Sequence, residues 1–348
     1  MNTPLLTYSR HRLMVACLAV AALGAARCFG ADNGSGGELL HYQPRTVLSG
    51  DMRITCETSA EPLMKIWLER FAKLQPGLEI IAKGTSPLAS VPMVASGAYD
   101  LGFPARELWA YEVENFRKIR GYDPTVVMVG LGAHRTAGLT PALGVYVNAS
   151  NPIERITLDQ LDAIYSSERR RGGAKEIRTW GDLGLTGEWA ARPVEAYMHR
   201  LPNGIDYFIQ ATVNQGADFR KSVIQLPMRR GKAGPDQLVA EVTAQHPGAV
   251  GFGCLGSTIP DMKTIVVAVD AAHPYYAGTL EEVQRMDYPL ARPIYMVVDR
   301  EPGTPLPPKI AEFLRFVLSK EGQEAVTASE GWLPLPAAMA AAEREKLK

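Results

Sequence analysis

The 348-residue chain is long enough for two domains, and a composition of 46% hydrophobic and 21% charged residues is typical of a soluble globular protein. Three of its 37 basic residues, Arg10, Arg12 and Arg27, lie in the first 31 residues, which hold no acid, so the remainder is slightly acidic. A duplex-binding protein normally carries a basic face, whereas the basic runs here, 169–171 and 229–232, are short and flanked by glycine. We therefore expect no nucleic-acid partner.

The N-terminal segment has the pattern of a secretory signal. Arg10 and Arg12 precede an apolar stretch of fourteen residues, 13–26, which is too short to span a bilayer comfortably. A cleavage site after Gly30 predicts a signal peptide over residues 1–30 and an exported mature protein. No later stretch approaches eighteen apolar residues.

The first part of the mature chain alternates between strand and helix patterns. Residues 31–44 are Gly-rich and polar and are predicted to be a flexible tether. Next come a strand over 53–56, a helix that starts at Pro62, a strand over 78–82, a helix over 88–96 and a strand over 100–102. This alternation predicts an α/β fold with a mainly parallel sheet.

The same alternation returns further along the chain. Thr157 and Gln160 have the spacing of a capping box, which predicts a helix from there to Tyr165. The remaining predicted elements are helices over 203–214, 235–245 and 308–319, and strands over 222–226, 248–252 and 263–269.

The four cysteines of the chain give little indication of function. Cys17 and Cys28 fall in the predicted signal peptide, and the spacing of Cys56 and Cys254 leaves open whether they form a disulfide. Lipid anchoring at Cys28 also stays open, although Arg27 stands where a small residue is needed. Without clustered histidines these residues make a poor zinc site, so we expect no metal and no cofactor.

Sequence motifs of enzymes are missing. The chain has no dinucleotide-binding fingerprint after a strand, no P-loop, no HExxH and no GxSxG, and its six histidines are scattered singly. The carboxylates do not single out an acid/base pair. We therefore predict no catalytic residue and no enzymatic activity.

Several segments, in order, resemble one family. They are Asn151-Pro152, Trp180-Gly181-Asp182-Leu183-Gly184 with Gly187-Glu188-Trp189, Pro247 to Phe252, Tyr288 to Tyr295, and Phe313 to Ser319 with Glu321-Gly322-Gln323. Together they are similar to the phosphate ABC-transporter substrate-binding proteins, a branch of the type II periplasmic binding proteins. The similarity covers roughly residues 44–336.

The resemblance implies two α/β lobes, each a mainly parallel sheet flanked by helices, joined by two crossing strands near 144–148 and 257–263 and closing on a ligand by hinge motion. Lobe 1 then comprises 45–144 and 263–348, and lobe 2 comprises 145–262. The implied partners are phosphate or another small oxyanion and an ABC permease in the inner membrane, with a monomeric binding protein in the periplasm.

Binding proteins of this family hold an oxyanion with helix N-termini, hydroxyls and an arginine, and use a carboxylate to recognise the ligand's proton. Four patches after predicted strands or at helix starts match this role, where ligand sites of α/β folds gather. The candidate ligand-binding residues are Thr58, Ser59, Thr85, Ser86, Asp100, Arg106, Arg200, Asn203 and Gly204. Each also has a structural interpretation: Thr58 and Ser59 as helix caps, Thr85 and Ser86 as turn residues, Asp100 as a strand-end acid, and Arg106 as the ion-pair partner of Glu107 or Glu112.

The candidate loops depart from the family at three positions. Glu57 adds a negative charge, Pro87 supplies no N–H, and Ile205 stands where relatives have hydroxyl residues. A dianion would be repelled unless Glu57 points away or is protonated. Two functions therefore stay open: capture of phosphate or a related oxyanion for transport, and a sensor or interaction protein whose anion site is altered or lost.

Overall fold

A computed structural model describes residues 37–227 and 237–348. The predicted signal peptide, 1–30, and the basic run at 229–232 lie outside the described residues. The strands are β1 (Gly50–Glu57), β2 (Leu78–Thr85), β3 (Leu101–Phe103), β4 (Thr125–Leu131), β5 (Leu143–Asn148), β6 (Arg155–Thr157), β7 (Glu195–His199), β8 (Ile224–Leu226), β9 (Ala249–Cys254), β10 (Met262–Ala268) and β11 (Pro293–Val298). The helices are α1 (Glu61–Leu74), α2 (Ser90–Ala95), α3 (Ala110–Arg120), α4 (Leu158–Tyr165), α5 (Gly204–Thr212), α6 (Gln237–Gln245), α7 (Leu280–Gln284), α8 (Pro308–Val317), α9 (Lys320–Ala328) and α10 (Ala337–Glu345).

The strands form two sheets. The first has the order β2-β1-β3-β11-β4, with β1 parallel to β2 and β3, and β11 antiparallel to β3 and β4. The second has the order β6-β10-β5-β9-β7-β8, with β7 parallel to both of its neighbours and β5 antiparallel to β9 and β10. Parallel pairs bring the carboxyl ends of neighbouring strands to the same edge, which is where a ligand site is expected.

Each sheet carries its own hydrophobic core. In the first, the α1 side chains at helical spacing are buried, and Phe71 packs against Phe313 and Phe316 with ring centroids 5.3 and 5.2 Å apart. In the second, Tyr165 packs on Phe252 at 5.0 Å. The partly buried Met286 and Leu333 contact both cores.

Most of the predicted elements are present with shifted ends. Helix α1 begins beside Pro62, the capping box of Thr157 and Gln160 opens α4, and Asn203 caps α5. The strand predicted over 100–102 begins one residue later, at Leu101. The sequence patterns did not indicate α3, β4, β7 or β11.

The structure differs from the sequence prediction at two boundaries. Strand β10 pairs with β5 and β6 in the second sheet, although residues from 263 onward were predicted in lobe 1, because a strand pattern does not tell which sheet the strand joins. The predicted tether, 31–44, is described from residue 37, and this end is docked rather than free: the buried Tyr42 donates its hydroxyl to Glu312 at 2.9 Å and its N–H to Glu321 at 2.8 Å.

Candidate functional site

The first site loop lies at the paired carboxyl ends of β1 and β2. Their parallel register sets Glu57 opposite Thr85. The Thr58 hydroxyl donates to the Thr85 carbonyl at 3.1 Å, and the Thr85 and Thr55 hydroxyls are 2.7 Å apart. Three predicted residues, Thr58, Ser59 and Thr85, therefore lie together.

Thr58 and Ser59 do not cap α1, because its N-cap residue is Ala60 and no side chain bonds there. Instead Glu57 turns onto its own loop. The Glu57 carboxylate accepts the Ser59 N–H at 2.8 Å and a short hydrogen bond from the Ser59 hydroxyl. Two donors of the predicted anion loop are thus already bonded to a carboxylate.

The second patch connects Ser86 to Arg106. The Ser86 hydroxyl accepts the Leu88 N–H at 3.3 Å, so the turn interpretation describes this residue in the structure. Arg106 is buried and donates to the Pro87 carbonyl at 3.0 Å, which ties the turn to the segment that follows β3.

Arg106 forms its ion pair with Glu112. The guanidinium donates to both carboxylate oxygens, at 2.7 and 2.8 Å, and to the Glu107 carbonyl at 2.7 Å. The two side chains are 6% and 2% exposed. A buried bidentate pair of this kind is held by geometry as well as charge, so the terminal nitrogens of Arg106 are committed to protein acceptors.

The third patch lies at the carboxyl end of β7, where parallel neighbours converge. Arg200 follows the strand and is exposed, and its carbonyl accepts the side-chain amide of Asn203 at 3.3 Å. The side-chain Oδ1 of Asn203 accepts the Asp206 N–H at 2.9 Å, which caps α5 directly before Gly204. Arg200, Asn203 and Gly204 therefore form one group.

Two contacts join this group to the first sheet's loops. Trp109, the N-cap residue of α3, stacks on Tyr207 of α5 with ring centroids 4.5 Å apart, and the Arg106 guanidinium lies 3.9 Å from the Trp109 ring centroid. Arg292 donates to Glu107 at 2.5 Å and to the Gly204 carbonyl at 3.4 Å.

Asp100 is the predicted residue that the structure places elsewhere. It precedes β3 and pairs with Arg53: its N–H donates to the Arg53 carbonyl at 2.9 Å, and its carboxylate accepts the Arg53 N–H at 2.6 Å. Because β1 and β3 are parallel, Asp100 lies level with Arg53, four residues before Glu57. At about 3.3 Å per residue of strand, Asp100 is roughly 13 Å from the Glu57 end of β1. Asp100 therefore lies at the start of the strand, away from the edge that carries the site.

The remaining eight predicted residues belong to one continuous network that runs from Thr58 through Arg106 and Trp109 to Arg200. A family model described as a PBP superfamily domain matches residues 43–321 of the same chain. The chain belongs to the PBP superfamily. It is 32% identical over 331 residues to the phosphate-binding protein PstS of Pseudomonas aeruginosa, covering 94% of this chain and 96% of that protein. This places it among the phosphate ABC-transporter substrate-binding proteins, as the sequence motifs predicted.

Solved structures of the superfamily agree on the fold. An ABC-type phosphate transport receptor from Vibrio cholerae superimposes with a TM-score of 0.52 at 18% identity, covering 82% of this chain and 100% of that one. PstS from Borrelia burgdorferi gives a TM-score of 0.52 at 17% identity, covering 82% and 99%. The predicted two-lobed type II periplasmic binding protein fold is confirmed.

Three residues of this superfamily member's network were missed from the sequence, namely Trp109, Tyr207 and Arg292, whereas Glu107 was named as a possible partner of Arg106. Arg292 lies in the segment from Tyr288 to Tyr295, which carries the family resemblance, and it was assigned no role of its own. One signal was available, because a charged residue inside the apolar run before β11 has to find a partner when it is buried. Trp109 and Tyr207 carry no comparable signal, since their contact joins segments almost a hundred residues apart.

Other candidate sites lie outside the network. A pocket of about 310 Å³ is bounded by Arg135, Gly256 and Thr264, and another of about 450 Å³ by Arg178, Arg220 and Lys221. The described residues contain no cluster of His, Cys, Asp or Glu that could hold a metal ion. Within the same ranges no helix is long and apolar enough to cross a membrane.

Cys56 and Cys254, the two cysteines among the described residues, are buried and not joined in a disulfide. Cys56 lies in β1 and Cys254 in β9, so they belong to different sheets. Burial is the main cause that raises the pKa of the Cys56 thiol, and the nearby Glu57 and Glu61 carboxylates raise it further.

Proposed function

We propose that the chain is a periplasmic solute-binding protein that captures phosphate or a related oxyanion between its lobes and delivers it to an ABC permease of the inner membrane. The observation that carries this proposal is the network linking Thr58, Thr85 and Arg106 of one sheet to Asn203 and Gly204 of the other. The network lies where the carboxyl ends of parallel strands converge. The relatives of the chain include proteins named for phosphate binding.

The proposal also covers the individual ligand contacts, the export of the chain, its oligomeric state and the composition of the two lobes. The ligand contacts are Thr58, Ser59, Thr85, Ser86, Asn203 and Gly204, with the exposed Arg200 as the cation that closes on the anion. Arg106 is a positioning residue that holds the turn at Pro87. The chain is exported by its N-terminal signal, acts as a monomer and performs no catalysis. Lobe 1 is built around the first sheet and lobe 2 around the second, with β10 assigned to lobe 2.

A sensor or interaction protein with a lost anion site is the second candidate. It is favoured by the internal bonding of the site: Glu57 occupies the donors of Ser59, Glu112 neutralises Arg106, and Trp109 stacks across the cleft on Tyr207. Such a protein would present its lobes to a partner and bind no oxyanion.

Calorimetric titration of the folded mature protein with phosphate, with sulfate and molybdate as competitors, separates the two candidates. Transport predicts saturable binding, and about 2.7 kcal/mol of stabilisation at a hundredfold excess over Kd. Arg200→Gln should weaken binding roughly 10- to 100-fold, because a hydrogen bond to a charged group contributes about 1.5–3 kcal/mol. Asp100→Asn, away from the site edge, is the matched control and should bind as the parent does. Absence of binding by any of the three anions would favour the second candidate.

A further inference from the structure

Glu57 is the one carboxylate in the described chain that bonds directly to the donors of the first site loop. Its oxygen accepts from the N–H and from the hydroxyl of Ser59. These donors lie at the start of the turn that leads into α1, a helix of fourteen residues. Negative charge is stabilised at the N-terminus of a helix, and here the Glu57 carboxylate supplies that charge.

Within the part of the chain that the structure describes, no cation balances the charge of Glu57. Among residues 37–227 and 237–348, no Lys, Arg or His forms an ion pair with it. A second carboxylate is close by, because the Glu61 carboxylate lies against Gly84 on the neighbouring strand, 2.1 Å from where a Cβ would stand. The Glu57 carboxylate is therefore held by the loop's own donors.

We propose that Glu57 acts as an internal anion that lowers the affinity of the site for oxyanions. An entering oxyanion must displace the Glu57 carboxylate from Ser59 and then remain beside its charge. Both steps oppose binding, and the second opposes a dianion more than a monoanion. This inference rests on the proposed function, since it concerns the same site, and it assigns Glu57 a role in setting affinity rather than in holding the ligand.

The test compares three variants of the full mature chain by calorimetric titration with inorganic phosphate. Glu57→Ala frees both donors and removes the charge, and should tighten phosphate binding at least tenfold. Glu57→Gln removes the charge but keeps an oxygen that accepts from Ser59, and should give a smaller gain. Glu61→Gln removes an equal charge nearby without freeing Ser59, and should change affinity least. Thermal melts establish that each variant is folded.

The outcomes are distinguishable. A parent protein that binds phosphate, with a folded Glu57→Ala variant that binds it no more tightly, overturns the role of Glu57 and leaves the proposed function standing. Equal gains from Glu57→Ala and Glu61→Gln also overturn it, because net charge alone would then explain the effect. A parent that binds phosphate weakly, with a Glu57→Ala variant that binds it at least tenfold more tightly, supports it. Absence of binding by every folded variant rejects both this inference and the proposed function.

Discussion

Trp109 stacks on Tyr207 with ring planes inclined by 28° and centroids 4.5 Å apart. The two rings come from different lobes: Trp109 begins α3, whose Phe116 packs with Val297 of the first sheet, and Tyr207 lies on α5, which packs on the second sheet. The stack therefore joins an element packed on the first sheet directly to one packed on the second. Aromatic pairs of this geometry contribute about 0.5–1.5 kcal/mol beyond the area they bury.

Loss of this stack should open the cleft. We expect Trp109→Ala and Tyr207→Ala each to increase the radius of gyration of the ligand-free protein in solution scattering, because a direct contact between the lobes is removed. The double variant should add little to either single one, since both remove the same contact. Trp109→Phe retains a ring and is the control. Unchanged scattering in both alanine variants would contradict the bridging role.

Glu112 should be important for stability. Glu112→Gln leaves the buried Arg106 guanidinium without its counter-charge, and breaking a buried ion pair from one side costs about 3–5 kcal/mol. The measurement is urea unfolding at neutral pH. Glu114→Gln, on the same helix, removes only the exposed pair with Lys118 and should leave the midpoint nearly unchanged. Similar midpoints for the two variants would show that the buried pair is not needed.

The docked N-terminal segment should contribute to folding stability. Tyr42 is 9% exposed and packs edge-on against Phe316 with centroids 5.6 Å apart. Tyr42→Ala should cost about 3–5 kcal/mol, the usual range for removing a buried aromatic side chain. Val47→Ala, at a position that is 89% exposed, is the control and should have little effect. If Tyr42→Ala unfolds like the parent, the segment is a free tether after all.

Low pH should weaken the docking of the N-terminal segment onto Glu321. Burial alone would raise the pKa of Glu321, but hydrogen bonds from the Tyr42 N–H, His41 and Ser319 outweigh it and lower the pKa to about 2. A carboxylate with a depressed pKa stabilises the fold above its ordinary value, near 4.5, and this stability is lost as the pH falls from there toward 2.

The measurement is the unfolding free energy between pH 6 and pH 2.5. Glu321→Gln should reduce stability at pH 6 and flatten the dependence on pH below 4.5, because it removes the titrating group. Glu324→Gln, at an exposed position of α9, should retain the slope of the parent. A Glu321→Gln protein with the same slope as the parent would assign the acid sensitivity to other groups.

Local signals made much of the fold predictable. The proline at the start of α1, the Thr157–Gln160 capping box and the Asn203 cap each act within one helical turn, so the sequence predicts them without knowledge of the fold. The eight candidate residues that these contacts link were chosen on similar local signals, since each follows a strand or begins a helix, and their role in binding stays a prediction.

The features that depend on pairing between distant segments could not be predicted from the sequence. Asp100 was assigned to the site as a strand-end acid together with Arg106, whereas in the structure it precedes β3 and Arg106 follows it, so the two lie at opposite ends of the strand. Whether β10 belongs to the first or the second sheet depends on partners more than a hundred residues away. The sequence indicates that a dianion binds without repulsion only if Glu57 points away or is protonated, and neither condition covers its turn onto Ser59.

The separation of Cys56 and Cys254 has a practical consequence. Their side chains lie in strands of two different sheets, at 1% and 2% exposure, so thiol reagents have little access to either in the native protein. A fluorophore pair attached to cysteines introduced on the surface of each half would therefore report distance changes across the molecule over a low background of native labelling. The chain can be used for such spectroscopy without first removing its own sulfhydryl groups.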